Sequence, residues 1–129
     1  MQIATHKTIE PTLCGTVMSL EPGRSVVRMT TVDCMAADET NLVHGGFVFG
    51  MADYAAMVAI NEPTVVLGAA EVKFLKPVVV GQTLEAHAAL DGVPDKKHFV
   101  NVRVLLDGEE VFTGRFTCFV PKRHVLDKG

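Results

Sequence analysis

Between Asn41 and Asn61 the chain runs Asn41-Leu42-Val43-His44-Gly45-Gly46-Phe47-Val48-Phe49-Gly50-Met51-Ala52-Asp53-Tyr54-Ala55-Ala56-Met57-Val58-Ala59-Ile60-Asn61, and Asp53 is the only carboxylate in it. Phe47, Met51, Tyr54, Ala55 and Val58 recur at helical spacing on one side, while Phe49, Gly50, Ala56 and Met57 surround Asp53 on the other. The pattern predicts a helix from Gly45 or Gly46 to about Asn61, ended by Asn61-Glu62-Pro63 because Pro63 forbids continuation. A helix that is apolar all round must be covered on every side, which restricts the chain to folds that wrap one central helix. The same run leaves Asp53 to be explained. Burying an unpaired ionised group is costly, so this carboxylate is partnered, neutralised or kept for chemistry.

Outside the helix the period is two. Leu13 to Leu20 and Ser25 to Val32 read as antiparallel strands joined by the turn Glu21-Pro22-Gly23, and Asp33 to Thr40 reads as a loop. After the helix, strands are predicted over Thr64 to Lys76, Gln82 to Leu90, His98 to Leu106 and Glu110 to Val120. Asp107-Gly108 is a tight hairpin signal. Their inward residues alternate cleanly, as in Leu84, Ala86, Ala88, Leu90 and in Val100, Val102, Val104, Leu106. Strands grouped around one helix, with no strand-helix alternation, indicate an α+β fold whose antiparallel sheet curves around the helix. The outer sheet face must then be polar or find another partner. With 129 residues the chain is expected to form one domain spanning residues 1–129, with a polar and loose tail from 121 to 129.

Composition narrows the function classes. A net charge of −3 and a pI near 5.9 disfavour a broad basic field for nucleic acid, and no helix-turn-helix segment is visible. Cys14, Cys34 and Cys118 are odd in number and lack metal-type spacing, so they read as reduced thiols of a cytoplasmic protein. No apolar signal core opens the chain, and the longest apolar run is shorter than a membrane span needs. His87 and His98 fall on strands without acidic partners at ligand spacing, and no metal site follows.

Two glycines at a helix start let a ligand approach free backbone N–H groups and the positive end of the helix dipole. A carbonyl placed there would be polarised; the alternative is a strained helix entry that binds nothing. Asp53 lies about 10 Å further along the axis than Gly46, too far for both to act on one carbonyl from the same helix.

His44-Gly45-Gly46 followed nine positions after the histidine by Asp53, together with Phe74-Leu75-Lys76-Pro77, Gly81 and Leu84, resembles the hotdog-fold thioesterase superfamily. The likeness is to its PaaI-like branch, which hydrolyses acyl-coenzyme A thioesters. The resemblance implies a sheet wrapped around one helix, a homodimer joined edge to edge that can pair again as a dimer of dimers, and active sites at the dimer interface. It implies Asp53 as general base or nucleophile, the Gly46 amide as oxyanion contact, and His44 and Asn41 as orienting groups. Asp53 could instead bond Tyr54 or Asn61 of a neighbouring helix and only fix the dimer. Asn41 and Asp38 could instead cap the helix entry.

The acyl chain is expected beside Phe49 and Met57, with Gly45 close to the bound group. Lys73 and Lys76 lead the cations available to the coenzyme A phosphates, the others being Lys96, Lys97, Arg103, Arg115, Lys122 and Arg123. No cofactor is expected apart from coenzyme A within the substrate. The chain departs from the resemblance at two places. Asp38 stands where many such enzymes have asparagine, and Leu67 stands where they have serine or threonine. Both changes remove polar groups that would hold water or the carboxylate. They favour the alternative, a non-catalytic protein that binds or senses acyl-CoA. A hydratase reading lacks its own His and Asp/Glu arrangement here.

Overall fold

The computed structural model describes residues 1–127. A short helix α1 (Pro11–Cys14) and strands β1 (Thr16–Glu21) and β2 (Arg24–Thr30) precede the long helix α2 (Gly45–Ile60), and β3 (Val66–Phe74), β4 (Thr83–Asp91), β5 (His98–Leu106) and β6 (Glu109–Phe119) follow it. All six strands form one antiparallel sheet in the order β1-β2-β4-β5-β6-β3. This sheet curves around α2 as a hotdog fold. Its core joins Val27, Leu84, Ala86, Val100, Val102, Val104, Phe112 and Phe116 to the buried face of the helix. The outer sheet face is polar, and pairs such as Arg28–Glu85 at 2.9 Å line it. Of the tail expected at 121–129, residues 121–127 carry neither helix nor strand, and 128–129 lie outside the described residues.

Two segments differ from the sequence expectation. Leu13 does not start a strand, because it lies within α1, whose first turn Glu10 caps by accepting from Thr12 N at 3.0 Å. Proline suits the first position of that helix because its missing N–H would be unpaired there anyway. Gly15 then reverses the chain at φ +98°, so close to β2 that a Cβ would sit 2.6 Å from Val27 Cγ1. The segment 33–40 is also more ordered than a plain loop. Asp33–Met35 makes a 3-10 turn that buries Met35, and Ala36 and Val43 form a bridge leading into α2.

The helix is covered less completely than its composition predicts. Met51, Ala52, Ala55, Ala56, Met57 and Val58 are buried, but Gly46 is exposed, and Phe49, Gly50 and Asp53 are half-buried. A Cβ on Gly50 would meet nothing within 4 Å. Gly46, Gly50 and Asp53 follow one another at i, i+4 and i+7, so they share a stripe. The neighbouring end of the sheet is open as well. Ala70 and Phe74 pair with the buried Phe116 and Phe112 of β6, yet both are exposed. The core helix therefore covers the edge strand β3 only in part.

Candidate active site

At the entrance to α2, His44 occupies the N-cap position but its side chain makes no capping hydrogen bond. Its backbone N–H donates to Met35 O at 2.9 Å and its carbonyl accepts from Phe47 N at 3.1 Å, which pins the loop to the first turn. The N–H groups of Gly45 and Gly46 lie too early in the helix to find an intrahelical acceptor. Both glycines are also required by packing. A Cβ on Gly45 would lie 3.1 Å from Phe74 Cε1, and one on Gly46 would lie 3.1 Å from His44 Cδ2 and Nε2. Removing both methyl groups lets the Phe74 ring and the imidazole close over the helix end while the amides stay reachable.

The loop before it has a different role from a helix cap. Asp38 Oδ1 accepts from Thr40 N at 2.9 Å and from Thr40 Oγ1 at 2.6 Å, and these bonds hold its carboxyl below the usual range. Asn41 adopts φ 66°, and its carbonyl accepts from Val80 N at 2.9 Å. Asp38 and Asn41 are thus turn residues, and the capping alternative does not hold for either. Asn41 remains exposed close to His44 in sequence.

Asp53 makes no side-chain hydrogen bond or ion pair among the described residues. Its Oδ1 is buried without a hydrogen bond among the described residues, and burial lifts the carboxyl to about 6. Tyr54 does not bond it, and Asn61 is engaged elsewhere, accepting from Ala4 N at 2.7 Å and donating to Gln2 O at 2.8 Å. The Asp53 charge reaches two thiols. Burial, then this carboxylate, raises Cys14 and pushes Cys118 up to about 12. Both thiols stay protonated near neutrality and are poor nucleophiles. Leu67 lies opposite Cys118 in the sheet register, so the β3 end nearest Asp53 is apolar.

Of the residues expected to touch substrate, Gly45 borders an apolar pocket of about 340 Å³ together with Phe74, Leu75, Lys76 and Pro77. Lys76 sits at its rim in an ion pair with Glu109. Phe49 is half-buried, its ring 5.5 Å from that of Phe116 and 6.5 Å from that of Phe112. Met57 is only 1% exposed and belongs to the protein's own core, so it is not open to an acyl chain in the single chain. Lys73 pairs with Thr113 in register and lies on the outer sheet face. Phe74 and Leu75 are pocket residues that the structure adds to the expected site. Their signal in the sequence is a pair of large apolar residues where a strand ends at Lys76-Pro77, a stretch that also belongs to the family resemblance. No cluster of three potential metal ligands occurs among the described residues.

Residues 40–113, which include the helix entrance, Asp53 and β3 to β5, match the family model of the thioesterase superfamily. The chain belongs to the thioesterase superfamily. Among solved structures, an uncharacterized protein from Pyrococcus horikoshii is 49% identical, covers 98% of each chain and superposes with a TM-score of 0.96. A mutant of the phenylacetic acid degradation protein PaaI from Thermus thermophilus is 26% identical over 84% of this chain and 95% of that one, with a TM-score of 0.77. Two curated relatives are longer than this superfamily member. Methylthioribose-1-phosphate isomerase of Aquifex aeolicus is 43% identical over 116 residues, or 90% of this chain and 25% of its own length. Transcription factor FapR of Caldanaerobacter subterraneus subsp. tengcongensis is 30% identical over 115 residues, or 88% of this chain and 58% of its own length. The chain therefore spans a quarter and somewhat over half of these two proteins.

Proposed function

We propose that this protein is an acyl-CoA thioesterase whose active site is completed by a second copy of the chain. The observation that carries the reading is the Asp53 carboxyl, unpaired among the described residues and with its ionisation near 6, on the same open helix stripe as the exposed Gly46. The two features lie at opposite ends of β3. Phe74 packs on Gly45 at one end, and Leu67 pairs with Cys118, within the Asp53 field, at the other. Antiparallel pairing of two β3 edges about a two-fold axis would bring the first end of one protomer to the second end of its partner. The glycine amides of one chain would then face the carboxylate of the other.

The chemistry follows from that arrangement. The Gly46 N–H polarises the thioester carbonyl, and the Asp53 carboxylate takes a proton from water as its oxygen adds to the carbonyl carbon. The tetrahedral oxyanion is held at the helix N-terminus. Its collapse breaks the carbon–sulfur bond, and the departing thiolate receives the proton from Asp53. His44, exposed beside Gly46, orients the carbonyl or the water. The apolar pocket at Phe74 and Leu75 accommodates part of the thioester, and Lys76 at its rim suits a phosphate of coenzyme A. The test is thiol release from short, long and aryl acyl-CoAs. Turnover should depend on Asp53, and equal rates for the wild type and Asp53→Asn on every substrate would reject the proposal.

Leu67 favours a second reading, acyl-CoA binding without hydrolysis, because it leaves an apolar residue near the carboxylate where a hydroxyl could hold water. The relative named transcription factor FapR is compatible with that reading. Micromolar binding of acyl-CoA with no thiol release would select it.

A further inference from the structure

A second cavity, of about 390 Å³, lies where the N-terminal segment crosses α2 beside β1. Because β1 and β3 are the two margins of the sheet, this cavity is at the opposite edge from the proposed interface. The segment is anchored over it. Asn61, in a left-handed conformation at the end of α2, binds Ala4 N and Gln2 O through its side-chain amide, and Thr5 is 3% exposed.

Ile3, Ile9 and Val17 give an apolar lining, and the polar residues His6, Lys7, Thr16 and Tyr54 line the same space. Tyr54 is 6% exposed, yet its hydroxyl has no hydrogen-bond partner among the described residues. The hydroxyl keeps accessible surface, so it is open to water or a ligand in the cavity and is not sealed in the core. Burial keeps this phenol protonated, so it is available as a donor. Lys7 is exposed and makes no ion pair among the described residues. His6 is committed on one side, its Nδ1 lying 2.8 Å from Thr5 Oγ1, and its ring centroid lies 6.4 Å from that of Tyr54.

We propose that this cavity binds a small apolar carboxylate, with Tyr54 and Lys7 donating to its oxygens and its hydrocarbon body against Ile3, Ile9 and Val17. The two-sided lining selects the ligand class. Phosphate or sulfate is hydrated on all sides and gains nothing from the aliphatic wall, whereas a neutral hydrocarbon leaves the phenol and the ammonium unused. A carboxylate with an apolar tail satisfies both surfaces, and the volume falls in the range of small-molecule sites. This site is independent of the proposed thioesterase chemistry, since none of its donors belongs to that machinery.

The test is calorimetric titration of the full chain with benzoate and hexanoate, and with benzamide and hexanamide as neutral counterparts. At least one acid should saturate, its amide should bind more weakly, and Tyr54→Phe and Lys7→Gln should each weaken it about fivefold or more. Lys7→Gln should leave any thioester turnover unchanged. Because Lys7 is on the surface, that variant decides the matter even where Tyr54→Phe disturbs packing. No saturation by either acid up to about 10 mM would overturn the proposal. So would amides that bind as tightly as the acids, or unchanged affinity in Lys7→Gln.

Discussion

Burial lifts Asp53 to about 6, so the residue is protonated in acid and becomes a base as the pH passes that value. Thioester turnover should therefore rise with pH through about 6 and level off above it, which a kcat/KM profile measures directly. The same shift bears on stability. The folded carboxyl holds its proton more tightly than the unfolded one, so the fold is favoured at low pH and loses stability as pH rises from about 4 to about 6. Asp53→Asn keeps the shape without the charge. At pH 7 it should stabilise the protein by about 1–2 kcal/mol, a value reduced for the part of the side chain that water reaches. That gain should vanish near pH 3, where both states are protonated; a denaturant series at the two pH values reads the sign. Gly46→Ala makes a contrasting case. Its Cβ would press on the exposed His44 ring, which can swing away, and alanine suits a helix better than glycine. Stability should change by less than about 1 kcal/mol while turnover falls about tenfold or more, as expected when a catalytic donor is obstructed.

At the scale of elements, α2 and β3 separate the folding of the protomer from assembly. Gly50 faces open space in the single chain, so Gly50→Leu should leave the protomer's stability unchanged or raise it by up to about 1 kcal/mol, since leucine favours a helix interior over glycine. It should nevertheless abolish turnover and weaken association, because the leucine occupies the stripe between the glycine amides and Asp53. Sedimentation together with the thiol-release assay separates the two effects. Gly68 behaves oppositely. A Cβ there would stand 2.2 Å from the Phe119 ring, inside the irregular register between Leu67 and Ala69. Gly68→Ala should cost about 1–3 kcal/mol in a denaturant titration, the usual range for overpacking. The two glycines look alike in the sequence. They differ because one is opposed by an aromatic ring and the other by nothing in its own chain.

At the scale of the whole molecule, a composite site makes a quantitative prediction. Asp53→Asn and Gly46→Ala each impair both sites of their own dimer. Mixed subunits, however, regain one intact site per heterodimer, and random assortment restores about a quarter of the sites. Co-expression followed by the thioester assay should show that recovery, whereas sites contained within one chain would show none. Turnover lost in the two single variants but not recovered on mixing would leave hydrolysis standing and reject the shared interface. No helix among the described residues is long and apolar enough to cross a membrane.

The amino-acid sequence alone determined the helix and its surroundings. An apolar-all-round run with one carboxylate must be wrapped, and strands of period two must supply the wrapping. It also singled out the glycine pair at the helix start and the lone Asp53 as features in need of a reason, while the site roles of His44, Gly46 and Asp53 came from the resemblance of His44-Gly45-Gly46 and Asp53 to the thioesterase superfamily. Leu13 and Val17 read as a strand in the sequence, and only the cap geometry shows that Glu10 and Pro11 start a helical turn. The tertiary structure decided which apolar residues are core and which are site. Met57 and Phe74 are equally hydrophobic, yet one is sealed inside and the other is 56% exposed beside Gly45. Hydrophobicity sets the tendency to be covered, but what does the covering depends on where the sheet ends, and here it ends at β3, which its own helix covers only in part.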